Sequence, residues 1–304
     1  MIISRIRHSL SALFLVAGFL IIPFALSSCA SNSKTDAASK DAVSSASVDA
    51  NAADTSTSGT PTAGAPPSGE RPSGPPPDGA GGGIPGAGSQ TVDHGTYANK
   101  LTTSVTGTTY ASTGDTENAV RVEDGAKVTL TGVTVNKTAG NAASGDASSF
   151  YGSNAALLAL DGANVTVNKS SVTTTANGGN GIFSYGEGTT VTVNDTTIRT
   201  SKNNSGGVMV TGGGTMYVNG CDVETQGGSS AALRSDRGGG TLVVKGGSYA
   251  SNGNGSPAIY CTANITVSDA KLTATTSEAV VVEGKNSVSL KNCVVSGKMI
   301  KDNV

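Results

Sequence analysis

The sequence predicts an all-β fold: a single-stranded parallel solenoid of about seven or eight coils, preceded by a disordered tether. Three observations lead there. The chain is rich in Thr, Ser, Val and Asn, with 42 glycines in 304 residues and only 14% charged side chains, so amphipathic helical runs are scarce. Short β-branched runs are instead punctuated by Gly and Asn, the pattern of many strands and many turns. These runs also repeat. The apolar residues that open them are Val128, Val165, Val191, Met216, Leu242, Ile265 and Val288, at intervals of 37, 26, 25, 26, 23 and 23. An internal period in this range marks stacked repeats.

Each unit holds three short apolar strands, as in Ile182–Tyr185, Val191–Val193 and Thr196–Ile198, with no helical pattern between them. Three strands and three turns make one coil of a parallel β-helix, so seven coils rise roughly 33 Å at strand spacing. The long first interval is explained by TAGNAASGDASSFYGS (138–153), expected to bulge as a surface loop.

Burial follows from period 2. The inward pairs of the second strand are Val128/Leu130, Val165/Val167, Val191/Val193, Met216/Val218, Leu242/Val244, Ile265/Val267 and Val288/Leu290, all apolar. The residues between them are Thr129, Thr166, Thr192, Tyr217, Val243, Thr266 and Ser289, which suit an outward β surface. Asn168, Asn194 and Asn219 each follow a second strand at the bend. Asn tolerates left-handed backbone, and amides stacked at one turn can hydrogen-bond along the axis as a ladder.

These features resemble the right-handed parallel β-helix superfamily of pectate lyases and their relatives, in which an asparagine ladder occupies the turn between the second and third strands. The resemblance covers about residues 96–304, and it alone implies the right hand. It also implies where catalysis would sit: on the outer face of the first strand, built from clustered Asp or from Ca²⁺-binding carboxylates with an Arg or Lys base. Here that face is expected to show Arg121, Leu158, Ser184, Met209, Arg234, Tyr260 and Val281, without a carboxylate, so no catalytic residue is carried over.

Two readings of this strip stay open. Leu158, Met209, Arg234 and Tyr260 could form a ligand-binding face, because contiguous apolar surface often marks one. Alternatively, the tether or the inserted loop covers it. The acids fall in the following turn. Stacked Asp124, Asp161 and Glu187 are candidate Ca²⁺ ligands. The competing explanation is turn chemistry, since each stands beside Gly in EDG, LDG and GEG. No other cofactor is expected. His8 and His94 are the only histidines, which leaves almost no material for Ser–His–Asp or His-ligated zinc chemistry.

The ends complete the domain plan. Arg5 and Arg7 precede an apolar run from Leu10 to Leu26, a secretory signal pattern. Leu26-Ser27-Ser28-Cys29 resembles the lipobox of bacterial lipoproteins. That resemblance implies a lipid on Cys29 and a membrane or cell-surface location in a bacterium. The expected domains are a signal at 1–28, a Ser/Ala then Pro/Gly-rich tether at 29–92, and the β-helix at 93–304. A segment of the tether's composition cannot bury enough apolar surface to offset its ordering entropy. Cys221, Cys261 and Cys293 are expected to face inward as small hydrophobes, with Cys221 and Cys293 three coils apart, beyond disulfide reach.

The net charge of −2 offers no basic patch for nucleic acid. A polysaccharide or host-surface ligand is expected, with an adhesin-like or carbohydrate-binding role. A polysaccharide lyase or hydrolase and a structural spacer are the alternatives. SGKMIKDNV carries no capping pattern, so the last coil is expected to continue into further coils or to associate end to end with another copy.

Overall fold

The computed structural model describes residues 92–299. The predicted signal, Cys29 and nearly all of the predicted tether lie outside these residues. Within them the backbone winds through eight levels of strand and closes three parallel sheets. The first sheet has seven strands: Val120–Val122, Leu157–Ala159, Ile182–Tyr185, Val208–Thr211, Leu233–Ser235, Ile259–Cys261 and Val280–Val282. The second has eight, from Val105–Thr106 to Ser287–Lys291, and the third eight, from Thr109–Ser112 to Val294–Ser296. Every strand pairs in parallel with its counterpart in the next coil, as Val191 does with Val165 and Met216.

The period-2 alternation drives the packing. Twelve of the fourteen predicted inward residues of the second strand are buried, within one core cluster that runs from Ala119 to Leu272. The other two, Val288 and Leu290, sit in the last described coil, where Leu290 is 40% exposed. Among the described residues no further coil covers that edge, and Val282, Val294 and Val295 are exposed with it. Cys221 and Cys261 are buried and Cys293 is partly so; all three thiols are free. Burial pushes the Cys221 thiol up to about 11, as expected for a thiol that acts as a small hydrophobe.

The asparagine ladder is a chain of amide bonds. Asn194 donates through Nδ2 to Asn168 Oδ1 at 2.8 Å, and Asn219 donates to Asn194 Oδ1 at 2.8 Å. The bend itself lies one residue later than the sequence suggests. The asparagines end their strands, and the left-handed residues are Lys169 (φ 46°), Asp195 (φ 47°) and Gly220 (φ 61°). A strand-end side chain can point along the stack, whereas the left-handed residue turns its own side chain away from it. Replacing Asn194 with Ala removes the central rung and leaves the Asn219 donor and the Asn168 acceptor unpaired. The expected loss is about 1–3 kcal/mol, read from denaturant unfolding, with Asn194→Asp unable to restore the donor.

Residues 138–153 are not a plain loop. Gly145–Tyr151 form one short helix, N-capped by Ser144, whose Oγ accepts from the Ala147 amide at 3.0 Å. Gly152 closes it in the left-handed region at φ 71°. The helix lies on the outer face of the first sheet. Ser148 Oγ donates to the carbonyls of Gly178 and Asn204 at 3.0 and 3.1 Å, Asn180 donates back to the Ser148 carbonyl at 3.0 Å, and Thr211 Oγ1 reaches the Phe150 carbonyl at 2.7 Å.

Candidate functional site

The outer strip of the first sheet is fixed by register. Arg121, Leu158, Phe183, Met209, Arg234, Tyr260 and Val281 follow one another from coil to coil. Ser184 is a correction: it faces inward, fully buried, and its hydroxyl donates to the Thr215 carbonyl at 3.0 Å. Phe183 takes the outward place. The sequence run Ile182-Phe183 is apolar on both faces, so alternation alone could not choose between them.

The strip divides into covered and open parts. Leu158, Phe183 and Met209 have no exposed surface, and with Ala155 and Leu160 they form a second apolar cluster outside the solenoid. The insertion makes the cover: a Cβ on Gly152 would stand 2.7 Å from Leu158 Cδ1 and 3.0 Å from Phe183 Cδ1. Leu158 and Met209 therefore leave the predicted ligand-binding set, because a docked helix satisfies them. Arg121 is also covered. Its Nη2 donates to the carbonyls of His94, Gly95 and Thr96 at 2.5, 2.9 and 3.2 Å, clamping the entry of the chain. His94 continues this clamp, with its ring centroid 4.4 Å from that of Tyr185.

Arg234 and Tyr260 lie beyond the cover. They line a groove of about 190 Å³ with Ser229, Ala231, Gly255 and Pro257. The Arg234 guanidinium is 5.5 Å from the Tyr260 ring centroid, a cation–π distance. It is held there by Asp236, whose Oδ2 accepts from Nη2 at 2.7 Å and from Nε at 3.2 Å, and by the Ser229 carbonyl, which accepts from Nη1 at 3.0 Å. Burial raises the Asp236 carboxyl, against the pull of the Arg234 charge. Burial first, then the neighbouring Glu283 and Asp236 carboxylates, push the Tyr260 phenol up to about 12, so it stays protonated in neutral water.

The groove continues along the turns that lead from the third sheet to the first. A depression of about 440 Å³ shares Ser229 and is lined by Asn203, Asn204, Gln226 and Asn254. A smaller one of about 100 Å³ shares Asn204 and ends at Asn177 and Ser144. The sequence reading missed these turns. They are built by stacked hydroxyls: the Ser205 amide donates to Ser230 Oγ and the Ser230 amide to Ser256 Oγ, both at 2.9 Å. Thr200 and Thr225 close the same turns on the Ser205 and Ser230 carbonyls. The signal is present in the sequence as a Ser followed by two small residues before the first-strand apolar residue, as in Ser205-Gly206-Gly207-Val208 and Ser230-Ala231-Ala232-Leu233.

The predicted Ca²⁺ ligands do not converge. Among the described residues no three His, Cys, Asp or Glu side chains form a metal-binding group. Asp124 pairs with Lys100 Nζ at 2.6 Å instead. Asp124 (φ 58°) and Asp161 (φ 50°) occupy left-handed turn positions, which favour Asp and Asn, and Glu187 lies exposed between two left-handed glycines.

Against known proteins, a family model described as right handed beta helix region matches residues 118–298, more than half of the chain. No curated protein sequence and no solved structure matches it significantly.

Proposed function

The chain belongs to the right-handed β-helix family, and from that premise we propose that it is an exported, lipid-anchored surface protein that binds carbohydrate without cleaving it. The anchor is the lipid implied for Cys29. The binding face is the open part of the first-sheet strip with the turns beside it. One observation carries the reading: the insertion seals Leu158, Phe183 and Met209 but leaves Tyr260 and Arg234 lining a groove. An aromatic ring pre-oriented by a stacked guanidinium offers a flat apolar surface to the C–H face of a sugar ring. The flanking amides and hydroxyls supply directional hydrogen bonds.

Tyr260→Ala is expected to weaken glycan binding by the full-length chain roughly tenfold, equivalent to about 1.4 kcal/mol, with an unchanged unfolding midpoint. Glycan-affinity electrophoresis measures the first and calorimetry the second. Unaltered binding would remove Tyr260 from the site.

A second reading, polysaccharide cleavage, draws on Asp236 and Glu283 flanking Arg234 and Tyr260. It requires new reducing or unsaturated ends after incubation with glycans, and their loss in Asp236→Asn. Retention of glycan without such ends supports the binding reading.

A further inference from the structure

We propose that this groove selects uncharged glycans and excludes polyuronates and other acidic chains; the inference rests on the carbohydrate-binding reading above. Consecutive turns are joined by backbone bonds from the Gly178 amide to the Asn203 carbonyl at 2.9 Å, from Asn204 to Gly228 at 3.0 Å and from Ser229 to Asn254 at 3.2 Å. The turns therefore climb in steps of about 4.8 Å, close to the advance of one pyranose along an extended chain, and successive levels carry Asn177, then Asn203 with Asn204, then Gln226 with Ser229, then Asn254. An amide both donates and accepts, as a sugar hydroxyl does. Among the described residues the Asn204 and Asn254 side chains have no hydrogen-bond partner within the protein, and both line the depressions.

Charge decides the class of glycan. Of the residues lining the three depressions, Arg234 alone is charged. It is already engaged, with Nε and Nη2 on Asp236 and Nη1 on the Ser229 carbonyl. Asp236 neutralises it, and Glu283 adds a further negative charge beside Tyr260. A uronate carboxylate entering here would lose hydration and gain no free cation among the lining residues, an unfavourable exchange. A hydroxyl-bearing neutral chain loses less hydration and finds an amide or hydroxyl side chain at each level.

The test compares soluble neutral glucans, mannans and galactans with polygalacturonate and alginate on the purified full-length chain, at low and physiological salt, with and without Ca²⁺. Neutral glycans are expected to bind with little salt dependence, and Ca²⁺ to change nothing. Asn254→Asp, on an exposed turn, is expected to lower that affinity about fivefold. Asp236→Asn releases the Arg234 charge and is expected to create polyuronate binding that the native chain lacks. Polyuronate binding by the native chain at equal or greater affinity overturns the selectivity and leaves carbohydrate binding standing. Failure of every glycan to bind overturns both.

Discussion

Replacing Gly227 with alanine is expected to disrupt the coil around it, with a loss of at least about 3 kcal/mol. The glycine is buried and its backbone is not left-handed, so conformational freedom is not the reason for it. The reason is proximity. A Cβ there would lie 1.8 Å from the Lys202 carbonyl oxygen and 2.7 Å from the Asn203 nitrogen. Gly253 repeats the arrangement one coil on, where a Cβ would meet the Gly227 oxygen at 1.7 Å. Coil spacing is fixed by parallel hydrogen bonds at about 4.8 Å, and the flanking bonds from the Gln226 amide to the Thr200 carbonyl and from the Gly228 amide to Asn203 Oδ1 are both 2.9 Å. To admit a methyl group the turns must part and lose such bonds, each worth about 1 kcal/mol, on top of overpacking strain of about 1–3 kcal/mol.

Gly107 is the control. It is left-handed at φ 62° with open space where a Cβ would stand, so Gly107→Ala is expected to lose only about 1–2 kcal/mol. Calorimetry ranks the two variants. Hydrogen exchange at residues 202–205 and 227–230 locates the damage, which matters because stacked repeats need not unfold in one step. A Gly227→Ala protein as stable as the parent would refute the close stacking of these turns.

Phe183→Ala is expected to be comparably severe, at about 3–5 kcal/mol, but with a different signature. Phe183 is fully buried outside the solenoid, in the cluster beneath the insertion. Its loss leaves the interior stack of Ile182 and Val208 intact and removes the apolar seat of the helix. The expected readout is rapid proteolysis within 138–153, accompanied by exposure of Leu158 and Met209. Leu233→Ala removes an interior side chain instead, and should destabilise the coil without freeing the insertion. Unchanged proteolysis in Phe183→Ala would mean that the helix is held by the hydrogen bonds of Ser148, Asn180 and Thr211 alone.

The contrast between these residues explains what could be read in advance. Val191 and Val193 were legible as core because a β backbone turns alternate side chains to opposite faces. The repeat supplied seven copies of that pattern, and each copy constrains the register of its neighbours. Asn168, Asn194 and Asn219 were legible for the same reason: one position recurring at one bend. Ser184 was placed on the wrong face because Ile182-Phe183 is apolar on both, and cover over Met209 stayed an open alternative because the outward face of a strand has no fixed environment. Which outward residues meet solvent depends on where a non-repeating segment lands, and 138–153 occurs once. Its helix has seven residues, too short for a 3.6-residue period to declare itself.

The sequence by itself therefore determined the repeat, the parallel stacking, the inward side chains and the ladder, all of which follow from local backbone periodicity multiplied over coils. Only the tertiary structure decided that the insertion seals Leu158, Phe183 and Met209, that Asp236 binds Arg234, and that Asn204, Ser229 and Tyr260 line connected grooves. Those are contacts between segments tens of residues apart, set by the rise of the coil and the docking of one helix, and periodicity carries no information about them.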